Sequence, residues 1–253
     1  MKKLFTLLII FLAAGILSAS ANDQLDSLKQ RLQLTTNDTL KGGIYKQIAA
    51  EYLKYDTIKH RGVKLYYQGE ALNYTMLALH NFSFYEDTLG MRTCFDYLAK
   101  VYQSQKKYSQ AKWFLLQSNK ISRTRKDTLN VITSLVRLSN VKMDAQDYKL
   151  AMRDLNEALA LSVKNKTPKL EAMVQQNFAY LYNRMDDFEK GDLALKRATE
   201  LYDNIKHDEE LAQLALLNPR DSVQIKKLDA KAKKRLAVKK SLKPSPVKKL
   251  ASL

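Results

Sequence analysis

Apolar and small residues recur through the middle of the chain at an offset of 40 positions. Leu98-Ala99, Tyr102, Tyr108, Ala111, Leu115 and Ser118 return as Leu138-Ser139, Lys142, Tyr148, Ala151, Leu155 and Ala158, then as Phe178-Ala179, Tyr182, Phe188, Gly191, Leu195 and Ala198. Within each set the residues fall at helical spacing on two consecutive stretches, so the pattern predicts a pair of helices per unit. Ala, Ser or Gly recurs at three positions per unit, where a larger side chain would push packed helices apart. Self-similarity at this period is the mark of one supersecondary unit stacked into a solenoid.

The openings of the units agree. Asp38-Thr39-Leu40, Asp87-Thr88-Leu89, Asp127-Thr128-Leu129 and Thr167-Pro168-Lys169-Leu170 each precede an apolar-periodic stretch. Asp or Thr there can accept hydrogen bonds from the unpaired N–H groups of a first helical turn, and Pro168 suits the first helical position. The units are therefore placed at 38–86, 87–126, 127–166 and 167–206. The first fits least well: Ile48-Ala49 and Tyr52 match its first helix and Ala71 and Ala78 its second, but about ten extra residues lie between them and Thr75 replaces the large apolar residue. A final helix, 207–218, containing Asp208 to Leu217 and stopped by Asn218-Pro219, is expected as a cap.

These residues resemble the tetratricopeptide repeat: a large, a small and an aromatic residue on one helix, then an aromatic, a small, a large and a small residue on the next. The resemblance covers residues 38 to 206 and implies an all-α, right-handed superhelical solenoid of about four helix pairs. The ordinary repeat has 34 residues, so each unit here is longer by about six. In such repeats the first helices line a concave groove that holds a protein or an extended peptide. Carried across, the resemblance places in that groove Lys46, Ala50 and Leu53; Thr93, Asp96, Tyr97, Lys100 and Gln103; Thr133, Val136, Arg137, Asn140 and Met143; and Met173, Gln176, Asn177, Tyr180 and Asn183. Asn and Gln suit the hydrogen bonding of a peptide backbone. The chaperone-tail clamp of the family is not matched, because Ala50, Tyr97 and Thr133 stand where it needs Asn or Lys.

The ends of the chain bring in the compartment. Met1-Lys2-Lys3, an apolar run from Leu4 to Leu17 and Ser18-Ala19-Ser20-Ala21-Asn22 read as a signal peptide (1–21) cleaved after Ala21. The run is short of the roughly 20 residues that span a bilayer. The product is expected to be exported, and periplasmic, beginning with an N-terminal segment at 22–37. Asp-Ser or Asp-Thr before an aliphatic residue occurs six times, at Ser27, Thr39, Thr57, Thr88, Thr128 and Ser222, and resembles an O-glycosylation acceptor motif of some exported bacterial proteins, although helix capping explains three of the six.

Charge is concentrated in a tail. Of the net +17, residues 219–253 hold twelve Lys and Arg against two Asp. Lys226, Lys227, Lys231, Lys233, Lys234, Arg235, Lys239 and Lys240 lie in a stretch free of Gly and Pro, where Ile225, Leu228, Ala232 and Leu236 keep helical spacing. Three readings stand for it: an anchor on anionic lipid, lipopolysaccharide or cell-wall polymer; a nucleic-acid tail, which export argues against; or a solvated extension. As an anchor, it would make the repeats chiefly structural.

Candidate chemistry changes little. His60, His80 and His207 lie in separate units, seven Gly form no phosphate loop, and Cys94 is the only cysteine. No metal, cofactor or catalytic residue is assigned. The sequence thus reads as a non-catalytic interaction scaffold.

Overall fold

The computed structural model describes residues 24–217, with side chains as far as Gln213. The expected signal peptide (1–21) and the basic residues 219–253 lie outside the described residues. A helix at 24–34 (α1) is followed by α2 (Asp38–Tyr52), a 3-10 turn (Leu53–Thr57), α3 (Arg61–Phe84), α4 (Thr88–Ser104), α5 (Tyr108–Thr124), α6 (Thr128–Asp144), α7 (Tyr148–Lys164), α8 (Pro168–Arg184) and α9 (Phe188–Leu217). Among the described residues there is no strand. Each helix packs on the next, and α2 on α4 and α6 on α8, which is the connectivity of a solenoid of helix pairs.

The period of 40 divides into two equal halves. From α4 to α8 every helix has 17 residues, and the helices are separated by three-residue turns of one design. The middle turn residue is left-handed each time: Glu86, Lys106, Lys126, Gln146, Lys166 and Asp186, with φ between 51° and 63°. The residue after it donates its N–H to a carbonyl five positions back, as from Asp127 to Ser122 (2.9 Å) and Asp147 to Lys142 (2.8 Å). The left-handed residue itself donates three positions back, as from Lys126 to Arg123 (3.0 Å). This pair of bonds satisfies carbonyls that a helix end would otherwise leave bare.

The expected helix starts hold with two adjustments. Asp87 accepts from the N–H groups of Leu89 (3.1 Å) and Gly90 (2.9 Å), and Asp127 from that of Asn130 (3.1 Å). In the first unit the cap is Asn37, which accepts from Thr39 N–H (3.0 Å), while Asp38 sits in the first turn. Thr167 does not cap with its side chain; its hydroxyl donates back to Ser162 O (3.1 Å), and Pro168 opens α8.

The small positions lie where helices approach. Ala111, Ala151 and Ala158 are fully buried, as are Ala71, Thr75 and Ala78 of the first unit. A methyl group on Gly90 would come within 2.4 Å of the Phe82 ring, so α4 can seat against α3 only with no side chain there. The additional residues of the first unit are shared between the 3-10 turn with its linker and α3, which His60 opens by accepting from Val63 N–H and which has 24 residues against 17 in each of α4 to α8. The separate helix expected from residue 207 is not found: α9 runs unbroken from Phe188 to Leu217. At the register where Asp127 and Thr167-Pro168 start new helices the chain has His207-Asp208, without a proline, and the helix continues through it.

Candidate functional site

The first helices of successive units, α2, α4, α6 and α8, bring their side chains into two adjoining cavities. The larger, about 770 Å³, is lined by Ala50 and Leu53 of α2 and the turn after it, by Thr93, Asp96, Tyr97, Lys100 and Gln103 of α4, and by Arg137 of α6. The second, about 460 Å³, is lined by Gln103, Asn140, Asp144, Gln176, Asn177 and Tyr180. Gln103 belongs to both, so the two form one trough crossing four units.

A ladder of polar contacts about one repeat apart holds the trough in shape. Lys100 Nζ donates to Leu53 O (3.0 Å) and pairs with Asp56 (2.9 Å). In return Tyr55 OH donates to Lys100 O (3.1 Å); burial pushes the Tyr55 phenol up to about 12, so it stays a donor at neutral pH. Arg137 pairs with Asp96 (2.9 Å), whose carboxylate also accepts from Ser118 Oγ (2.7 Å). Gln103 Nε2 donates to Asp144 Oδ2 (2.7 Å), and Arg184 meets the other oxygen of that carboxylate (3.2 Å) while lying 4.8 Å over the Tyr180 ring. The rungs join each first helix to the next and hold its side chains in place.

The two halves differ in chemistry. The larger cavity holds Lys54, Arg92, Lys100 and Arg137 against Asp56 and Asp96. Arg92 Nε is buried and, among the described residues, without a partner. The smaller cavity is dominated by amides and a tyrosine, groups that can donate to and accept from a peptide backbone.

Several expected groove residues lie elsewhere. Val136 and Met143 are buried in the core that α6 shares with α7 and α8, and Met173 packs against that core. These positions face a neighbouring helix, where burial of apolar side chains outweighs exposure to the trough. Lys46 lies over the Phe82 ring (5.7 Å). Asn183 packs at the α8–α9 junction, its Oδ1 occupying the space a side chain on Gly191 would need. Thr133 donates to Leu129 O within its own helix.

Other residues of the site escaped the sequence reading. Asp144 and Arg184 are the final residues of α6 and α8, 40 positions apart and opposite in charge, one position beyond the register carried over. That pairing was the available signal. Lys54, Asp56 and Thr57 come from the 3-10 turn of the first unit, where the other units have the end of a 17-residue helix and a three-residue turn. Cys94 is buried, and burial pushes its thiol up to about 12, which keeps it protonated and unreactive.

The helix pairs, their turns and the inter-unit ladder define a tetratricopeptide-like helical-repeat solenoid. Solved structures share the fold. The apo form of RapI superposes with a TM-score of 0.59 at 17% identity, covering 84% of this chain and 74% of that one. The nearly identical TPR-like repeats of a Podosopora anserina protein of kinesin-light-chain type superpose with a TM-score of 0.59 at 12% identity, covering 74% of this chain and 90% of theirs. BtubC (BKLC) of P. vanneervenii gives 0.50 at 13%, with the same coverage. In sequence, no family model and no curated protein matches the chain.

Proposed function

We propose that this chain is an exported, non-catalytic scaffold of the cell envelope that holds an extended segment of a partner protein along the trough. The observation that carries this reading is the pair of cavities meeting at Gln103, both lined chiefly by first helices and braced by the repeat-spaced ladder. A partner backbone would run across the units, hydrogen-bonded by Asn140 and Gln176, with Tyr180 as an apolar and polar anchor. Export rests on the N-terminal sequence. Among the described residues no helix is long and apolar enough to cross a membrane.

Site-specific photo-crosslinking in the producing cell tests the location. A photoreactive residue in place of Gln103 should give a defined cross-linked partner in the envelope fraction. The same group in place of Leu193, which is 61% exposed on α9 and lines neither cavity, should give none. Equal cross-linking from both positions, or from Leu193 alone, would place binding outside the trough.

A further inference from the structure

The two ends of the solenoid are finished differently. At the first end α1 covers α2: Leu25 is buried with Ile44, Ile48 and Tyr52, and Leu28 and Leu32 pack against them. At the other end no described element covers α9. The repeat register identifies what is missing. Leu115 and Leu155, 2% and 0% exposed, lie under the following helix pair, but their counterpart Leu195 is 48% exposed. Ser122 and Ser162 are likewise buried, whereas at the same position α9 carries Tyr202, 39% exposed. Asn119, one turn from Leu115, shows which way this stripe faces by donating to Ser134 of the next unit (2.6 Å). The interface that joins every earlier unit to its successor is thus present on α9 without a successor among the described residues.

The rim of that face carries Lys196 beside Leu195 and turns acidic beyond Tyr202, where three carboxylates outnumber Lys206. Asp203, Glu209 and Glu210 are exposed beside or just beyond Tyr202, and of them only Glu210 has a basic neighbour among the described residues, Lys206 at 3.8 Å. A second copy meeting α9 with its own α9 would bring like charges together, and head-to-tail stacking is blocked by α1 at the opposite end. The chain itself supplies the complementary surface. Immediately after α9 come Asn218-Pro219, which can reverse its direction, and then residues 221–240, with Ile225, Leu228 and Leu236 at helical spacing among eight basic residues.

We propose that residues 221–240 of the same chain lie back along α9, setting Leu236 against Tyr202, with Ile225 and Leu228 nearer the end of α9 and the lysines against the acidic rim. As a helix this segment would measure about 30 Å, enough to return from Leu217 past Tyr202 toward Leu195. The tail is then the cover of the last repeat, and its basic residues are held by the protein before any outside anion.

Hydrogen exchange read by mass spectrometry on the mature full-length chain tests this. Two triple variants are compared with the wild type: Ile225→Lys, Leu228→Lys and Leu236→Lys, which removes the stripe while adding positive charge, and Asp203→Lys, Glu209→Lys and Glu210→Lys, which reverses the rim. In both, exchange over residues 193–205 should rise about tenfold, while α4–α7 exchange as in the wild type. The wild type should remain monomeric across concentration, and phosphatidylglycerol vesicles should bind an Ile225→Ser, Leu228→Ser and Leu236→Ser variant, of unchanged charge, more strongly than the wild type, because the tail is released. Unchanged exchange over 193–205 in both variants would overturn the proposal. So would a full-length chain that dimerises and protects this segment only at concentrations where the dimer forms, which would make a second copy the occupant.

Discussion

The clearest single-residue contrast in the solenoid lies inside its third helix pair. Tyr102 and Phe114 stack in the second pair with ring centroids 5.5 Å apart, and 40 residues on the same two positions are Lys142 and Asp154, a salt bridge with both side chains buried. Burial pushes the Asp154 carboxyl above its usual range, against the pull of the Lys142 ammonium. Removing one partner, as in Lys142→Ala, strands a buried charge and should cost about 3–5 kcal/mol. Restoring the aromatic pair with Lys142→Tyr and Asp154→Phe should be neutral or stabilise by about 1–4 kcal/mol. The two results follow from urea unfolding of each variant beside the wild type. Because the folded carboxyl holds its proton more tightly than the unfolded one, its contribution is full below the ordinary value of 3.8 and is lost as pH rises through the raised one. The advantage of the double variant over the wild type should therefore widen across that window; an advantage that narrows would show that the ion pair, not burial, controls Asp154.

At the scale of elements, the turns carry strain that can be relieved. Six non-glycine residues sit in the left-handed region at intervals of 20. Each costs about 1–2 kcal/mol in backbone strain, and Gly would return part of that at an entropic cost of about 0.5–1 kcal/mol. Lys126→Gly should stabilise the protein by about 0.5–1 kcal/mol, and Lys166→Gly should add a similar amount, since distant sites act independently. Thermal unfolding of the single and double variants measures both; a loss of stability would mean that these side chains make contacts worth more than the strain. The same turns explain what could be read in advance. The 40-residue repeat was legible because Ala, Ser and Gly are enforced by close helix packing at Ala111, Ala151 and Gly191. The 20-residue half was not, because Glu86, Lys106 and Gln146 occupy positions where glycine would have announced a helix end. Asp87 and Asp127 could be read as caps; Asn37 was missed because Asp38-Thr39-Leu40 imitates the same signal one position later. The continuity of α9 past His207 was missed because Asp208 imitates a helix start, although no proline stands there to end the helix before it.

For the molecule as a whole, the repeat turns separate residues into one trough. The register alone placed Lys100, Gln103, Arg137, Asn140, Gln176 and Tyr180 on successive first helices, and the structure lines the cavities with them. It could not show that Val136 and Met143 turn into the core, because a 40-residue offset fixes a position along the helix and not which neighbour it meets. Nor could it show the ladder, whose members pair only once the units stack. The central claim is that this trough, and no other surface, holds a partner. Affinity capture from envelope extracts with residues 22–253 and with the same chain carrying Asn140→Ala, Gln176→Ala and Tyr180→Ala combined tests it most directly. These side chains are exposed or partly exposed and lie outside the packed core, so the variant should unfold with the wild type within about 1 kcal/mol. Loss of the captured partner from a variant that is still folded is the predicted result; capture of the same partner at undiminished yield would contradict the account.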